Sequence, residues 1–560
     1  MVNQLRWSSV AGRVIAITFL LSGSALFSQR AATPARASEP MYRNPVIAGD
    51  YPDPSVIRVG QDYWATATSS EWAPHFPLMH SQDLVNWTVV GAVFTKRPEW
   101  AESNFWAPEI SEYQGRYYIF YTARKIGGSL CVASAVSDVP QGAYADQGPL
   151  VCDDAGSIDG FSIADENGQR YLIWKYDGNS RNVPSVIWAQ PMTADAKALT
   201  GERTELIRND SVWEGSVVEG PFILKHEDYY YLFYSGNACC GLQCNYALGV
   251  ARSKALLGPW QKYDRNPLLR DNQDWRCPGH GSIVAEPGGR TFLLHHAYNR
   301  RGSVWVGREA VLDEVTWPTG GWPEIRGSGV MLRAAAPLGM AQKRPLTLVE
   351  DRFNTAIQDP VWEWPNSNPP VITSSNGLTL APSANPEHAL AAVVARATIS
   401  PTYLAETELT VPAEGMAGIS AFGDRQNAIG IGVRPGRYVV WQRHEGTMRI
   451  LATHRAPGSG NVRLRATSTV GNQMYFAYSN DGKYWWRLGS AVNLAGIPPW
   501  DRSVRIALYN GGTSLPATFT YFRMRRQTPT VLRRTLAKSN SVASKNAPAN
   551  GPSAAPTTSQ

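Results

Sequence analysis

The sequence predicts an all-β protein: a five-bladed β-propeller followed by a β-sandwich. Three observations predict this. A unit of an acidic or polar residue, a Gly or Asp turn and an aromatic strand-forming run recurs five times between about residues 42 and 333. Its period of roughly 50–60 residues is that of propeller blades. The composition, with 20 Trp, 24 Tyr, 49 Gly and 39 Pro in 560 residues, suits short strands and frequent turns better than long helices.

Taken in order, residues 1–38 read as a signal peptide and spacer. Arg6 and Arg13 precede the apolar run Val14-Ile15-Ala16-Ile17-Thr18-Phe19-Leu20-Leu21, and Ala35-Arg36-Ala37 is a candidate cleavage site. Export follows, to the periplasm or outside the cell, with no stable membrane insertion after cleavage. No other stretch is long and apolar enough to span a bilayer.

The five turns of the propeller segment (42–333) fall at Asp62, Gly115, Gly168, Asp228 and Gly289. Each opens a strand-forming run, such as Tyr117-Tyr118-Ile119-Phe120-Tyr121 or Tyr229-Tyr230-Tyr231-Leu232-Phe233-Tyr234. Asp53, Glu109, Asp159, Glu219 and His280 precede these turns, by about nine residues in four cases and fewer for Glu109. Equivalent blades would bring these positions together at the central axis.

All six cysteines (Cys131, Cys152, Cys239, Cys240, Cys244 and Cys277) lie in the repeats. With an export signal they read as disulfides, Cys131 with Cys152 being the best local pair. The cluster around Cys239 has no second Cys/His group at zinc spacing.

An Ala- and Pro-rich linker occupies 334–347. The sandwich segment, 348–526, is marked by alternation at Tyr403–Leu409 and by a turn at Asn480-Asp481-Gly482-Lys483. Residues 527–560, rich in Ser, Ala, Pro, Asn and Thr, read as a disordered basic tail.

The net charge of +7 belongs to the ends of the chain. Seven basic residues from Arg523 onward and four in the first 38 residues leave residues 39–522 at −4. A mildly acidic body argues against a nucleic-acid partner.

In a propeller the innermost strands line one channel, so Asp53, Glu109 and Glu219 would share a site. Carboxyls held close have their pKa values driven apart, leaving one protonated and another ionised. Glycoside hydrolysis needs such a division: an acid for the leaving oxygen and a base or nucleophile on the other face. Pro52 and Pro54 restrict the backbone around Asp53, and Gly220-Pro221 follows Glu219. Phe105 and Trp106 place aromatic rings beside Glu109, as a sugar platform would.

Asn44-Pro45-Val46 through Tyr51-Pro52-Asp53-Pro54-Ser55, Trp106-Ala107-Pro108-Glu109, Glu219-Gly220-Pro221 and Gly279-His280-Gly281-Ser282 together resemble glycoside hydrolase family 43. His80-Ser81-Gln82-Asp83-Leu84-Val85-Asn86-Trp87 adds to the resemblance, which covers about residues 42–333. It implies inverting hydrolysis of β-xylosides, α-L-arabinofuranosides or related plant-wall glycans, with an oligo- or polysaccharide as substrate. Asp53 would be the base that activates water, and Glu219 the general acid. Glu109 would be the third acid, where the family usually has Asp.

The resemblance also implies that Arg308 binds substrate and that His280 lies near the channel, where arabinanase-like members hold a calcium. No cofactor is required, and a structural calcium reached from His280 through water is the one metal implied. Trp72 and Trp106 are candidate pocket walls. Inverting carboxyls stand about 6.5–9.5 Å apart to admit water.

The second domain resembles the concanavalin-like (jelly-roll) β-sandwich of xylosidase-like members, which can send a loop toward the pocket and favour exo action. An endo-acting arabinanase, a retaining fructan-cleaving propeller and a non-catalytic glycan-binding propeller are the other readings. The fructan group's Arg-Asp-Pro and Glu-Cys pairs are missing from the sequence.

Overall fold

The computed structural model describes residues 40–527 except 344–346, 355–358, 383–389, 391 and 470–471. The predicted signal and spacer, and residues 528–560 of the predicted tail, lie outside the described residues. What is described is almost entirely strand.

Five four-stranded antiparallel sheets follow one another along the chain. Their innermost strands are Ser55–Val59, Ala101–Tyr113, Ser157–Ala164, Val218–His226 and Trp275–Ala285. Each inner strand touches that of the next blade, and the fifth touches the first, which closes the ring.

The aromatic runs form the second strands, and their two faces pack against different neighbours. Ile119 and Tyr121 join Phe76 and Leu78 of blade one, whereas Tyr118 and Phe120 join Leu172 and Trp174 of blade three. Tyr231 and Phe233 likewise face Leu293 and Val311 of blade five, while Leu232 and Tyr234 face Ile173 and Ile187 of blade three. A strand buried on both sides needs apolar residues at every position, which is why these runs do not alternate with polar ones.

Met41–Arg43 pairs with Arg333–Ala335, so Ala334 and Ala335, assigned from sequence to the linker, form part of a strand that ties the two ends of the propeller. Of the disulfides, Cys131–Cys152 is the predicted pair, and Cys239–Cys240 and Cys244–Cys277 complete the set.

The second domain stacks two sheets. One includes Tyr403–Thr410, Asn461–Ser468, Gln473–Ser479 and Ala517–Arg526, and the other Ala392–Ala397, Met416–Phe422, Ala428–Arg434, Arg437–His444 and Arg505–Gly511. Alternation that turns Tyr403, Ala405 and Leu409 inward, and its equivalents on other strands, supply a shared apolar core that includes Leu409, Ile419, Ile431, Leu464 and Phe519.

The two domains are joined by strand pairing and buried charge. Trp364–Pro365 pairs with Trp72–Ala73 of blade one. Asp50, 5% exposed, accepts from the Arg308 and Ser503 amides at 3.1 and 2.8 Å and from Arg505 Nη1 at 3.0 Å. Gly307, with φ of 107°, permits this approach: a Cβ there would lie 2.2 Å from Asp50 Oδ1.

Candidate active site

In each blade a left-handed residue stands in or just before the inner strand beside the axis: Asp53 (φ 53°), Ala107 (40°), Asp159 (58°), Gly220 (59°) and His280 (41°). Strand pairing is interrupted by a bulge here in blades two to five. Each amide so turned is satisfied from a neighbouring blade. Asp53 N donates to His296 Nδ1, Ala107 N to Thr68 Oγ1, Asp159 N to Thr122 Oγ1, Gly220 N to Asp159 Oδ2, and His280 N to Ser235 Oγ. Sparsely populated backbone held at five equivalent places marks a site that the surrounding structure over-determines. At position 220 only glycine serves, since a Cβ would meet the His280 ring at 2.9 Å.

Beside the axis lies a cavity of about 470 Å³ lined by Asp53, Trp106, Asp159, Lys175, Asp177, Glu219, His280, Arg308, Trp500 and Asp501, among others. The three carboxyls have different surroundings. Arg308 Nη1 donates to Asp53 Oδ1 at 2.9 Å, Thr68 Oγ1 donates to its Oδ2 at 2.7 Å, and His280 Nδ1 lies 3.6 Å away. Burial would raise the Asp53 pKa, but the Arg308 guanidinium, with His280 beside it, outweighs burial and holds the carboxyl far below the usual range. His296 Nδ1 accepts the Asp53 amide, so the ring is neutral, and burial holds its pKa down at about 4.

Glu219 accepts from Tyr246 Oη and Lys175 Nζ, both at 2.8 Å. Lys175, almost fully buried, also pairs with Asp177 at 2.8 Å. Burial favours a protonated Glu219, yet Lys175 and the hydroxyl overcome that and lower its pKa. Among the described residues no cation pairs with Asp159. Burial, with Glu219 and Asp53 close by, pushes it up to about 6 against the pull of His280 and Lys175.

Two sequence expectations are corrected by this geometry. Glu109 does not line the cavity. The blade-two residue in register with Asp53 is Ala107, and Glu109 lies two residues further along the strand, level with Ser55, whose hydroxyl accepts the neighbouring Ile110 amide at 3.0 Å. Enclosed there without a cation, its carboxyl is pushed up to about 8 by burial. Asp159 occupies the third acidic place, and the nine-residue offset it shares with Asp53, Glu219 and His280 is the signal that identifies it. Trp72 is not a wall of this cavity either. It is 2% exposed, meets Phe422 of the sandwich edge-on at 5.8 Å and has Arg505 over its ring at 5.3 Å, because its turn faces the domain junction.

Asp53, Glu219, Trp106, His280 and Arg308 do come together. Arg308, 4% exposed, donates through Nη2 to the Asp501 carbonyl of the sandwich at 3.0 Å. Trp500 of the same loop stands edge-on to Trp106 at 5.9 Å. Lys175, Tyr246, His296, Trp500 and Asp501 carried no motif and were not found from sequence.

Calcium takes about six to eight oxygen ligands. Around His280, Asp53 is committed to Arg308 and Glu219 to Lys175. No group of three His, Cys, Asp or Glu side chains suited to a metal occurs among the described residues. The residues do not fit the implied ion.

Buried carboxyls with different electrostatic partners thus meet at the axis of the propeller. Residues 42–323 match Glycosyl hydrolases family 43, and residues 350–525 match the beta xylosidase C-terminal concanavalin A-like domain. The chain belongs to glycosyl hydrolase family 43.

It is similar to a xylosidase/arabinosidase of Butyrivibrio fibrisolvens, 29% identical over 301 residues, 50% of this chain and 56% of that protein. It is also similar to a xylan 1,3-beta-xylosidase of Vibrio sp, 27% identical over 347 residues, 56% of this chain and 62% of that protein. The match thus spans less than two thirds of these relatives. In fold it resembles the GH43 protein BlXynB from Bacillus licheniformis, with a TM-score of 0.76 at 24% identity, covering 87% of this chain and 100% of that one.

Proposed function

We propose that this protein is an exported, inverting, exo-acting glycoside hydrolase that removes xylose or arabinofuranose units from plant-wall pentosans or their oligosaccharides. The observation that carries the reading is the convergence of Asp53, Asp159 and Glu219 in one cavity, each with a different electrostatic partner. Asp53, ionised at any working pH, accepts a proton from the attacking water. Sugar hydroxyls that engage the Arg308 guanidinium loosen its hold on Asp53 and raise its basicity at the moment of use. Glu219 protonates the leaving oxygen on the other face of the sugar. Against burial, Lys175 and Tyr246 hold the resting Glu219 pKa down. Asp159, raised by burial to about 6, is the neighbouring carboxyl that stores the proton Glu219 delivers.

Exo action is supported by Trp500 and Asp501, which wall the cavity from the sandwich side. Xylosidase and arabinofuranosidase names among the relatives support a pentose substrate. The test is hydrolysis of an aryl β-xyloside and an aryl α-L-arabinofuranoside by wild type, Asp53→Asn and Glu219→Gln. Each variant should lose about 10²–10⁴-fold in kcat/KM. Activity on neither substrate, or unaltered variants, would sink the proposal.

A further inference from the structure

The Cys239–Cys240 disulfide joins adjacent residues. A crosslink restrains the unfolded chain by closing a loop, more so as the loop lengthens, and one between neighbouring residues closes almost none. The stabilising role in the segment between Gly236 and Ala247 falls to Cys244–Cys277, which spans 33 residues and ties the segment to the inner strand of blade five. Cys239 and Cys240 both line the cavity that holds Asp53 and Glu219.

The segment that presents them is pre-organised. Ala238 and Asn245 bond reciprocally, Ala238 N to Asn245 Oδ1 and Asn245 N to Ala238 O, both at 3.0 Å. Gly241 N donates to Tyr298 Oη at 3.1 Å, and Arg276 Nη2 to the Leu242 carbonyl at 3.0 Å. Beneath, Cys239 packs on Cys244, Tyr246 and Cys277, and Tyr246 is the residue whose hydroxyl holds Glu219. On the cavity side the Trp500 carbonyl lies 3.3 Å from where a Gly241 Cβ would stand.

We infer that the Cys239–Cys240 disulfide is a sugar-contacting wall of the pocket, on the side of Glu219, against the C–H face of the sugar unit that leaves. This rests on the function proposed above. Two sulfurs in one small ring form a polarizable surface without hydrogen-bond donors, and no rotamer freedom is lost when a ligand settles on it. Apolar walls that orient a ligand around a few polar groups are the usual construction of such sites.

The test compares wild type with Cys239→Ser/Cys240→Ser and Cys239→Ala/Cys240→Ala on xylobiose, 1,5-linked arabinobiose and the methyl pentosides, with Tm measured for each. Removing the wall should raise KM for the cleaved disaccharide about tenfold, with a smaller change in kcat. The loss on the methyl pentoside, which has no second ring, should be at least threefold smaller. Tm should stay within about 2 °C, whereas Cys244→Ala/Cys277→Ala, which opens a real loop, should lower it clearly. An active wild type with disaccharide KM unchanged in both folded variants overturns the inference alone, as does an equal loss on the methyl pentoside. A wild type inactive on every pentoside overturns the function and the inference with it. If the Ser pair fails to fold, the Ala pair decides.

Discussion

At the residue scale the site is a contrast between three carboxyls, and the contrast makes separable predictions. Asp159→Asn should lower kcat/KM by about 10²-fold or more, because it removes a partner of the acid, whereas Glu109→Gln should change it less than about threefold. Both are read from initial rates on the aryl substrate. Asp159, pushed up to about 6 by burial against the pull of His280 and Lys175, loses its proton as pH rises through that value, so kcat/KM should fall above it. Lys175 stabilises the ionised form of Glu219. Lys175→Met should therefore move that alkaline limb upward, by about 1–3 pH units. A limb that stays put would show that Lys175 does not govern the proton.

At the element scale the informative parts are the five inner strands and the loop that the sandwich contributes. Asp50 receives three hydrogen bonds that hold this loop and Arg308 together. Asp50→Ala leaves Arg505 and Arg308 with fewer buried partners, and should cost on the order of 3 kcal/mol in denaturant unfolding as well as raising KM. The blades were legible because each second strand contains a run of aromatic and apolar residues and each is preceded by a turn at a period of roughly 50–60 residues. Asp53, Glu219 and His280 were legible because they keep one offset from that turn. The same offset pointed to Asp159, but a motif placed the third acid at Glu109, two residues too far along the strand. Trp72 was misread because an aromatic beside a turn looks the same whether it faces a sugar or another domain. Lys175, Tyr246 and the Trp500 loop could not be read. Lys175 lies on a second strand, Tyr246 reaches Glu219 from the residue before a third strand, and the Trp500 loop comes from the other domain. No local pattern there distinguishes them from core.

At the scale of the whole molecule, buried titratable groups set how stability follows pH. His296 and His75, with folded pKa values of about 4 and about 3, are neutral and buried. Their contribution is complete above the unfolded value of about 6.5 and is lost as pH falls through that window. Glu109 and Glu309, both at about 8, act in the opposite sense. Their contribution is complete below the unfolded value of about 4.3 and is lost as pH rises to 8. Thermal unfolding from pH 4 to 9 should show a maximum where the two windows overlap, at about pH 4–6.5. The Tm advantage of Glu109→Gln over wild type should grow from pH 5 to pH 8, and a constant difference would contradict a protonated Glu109. The central claim concerns chemistry: water activated by Asp53 displaces the leaving group in one step. The most direct measurement is the anomeric configuration of the first sugar released by wild type, followed by proton NMR before mutarotation. Inversion, α-xylose from a β-xyloside or β-L-arabinofuranose from an α-L-arabinofuranoside, is the predicted result. Retention of configuration would contradict the account.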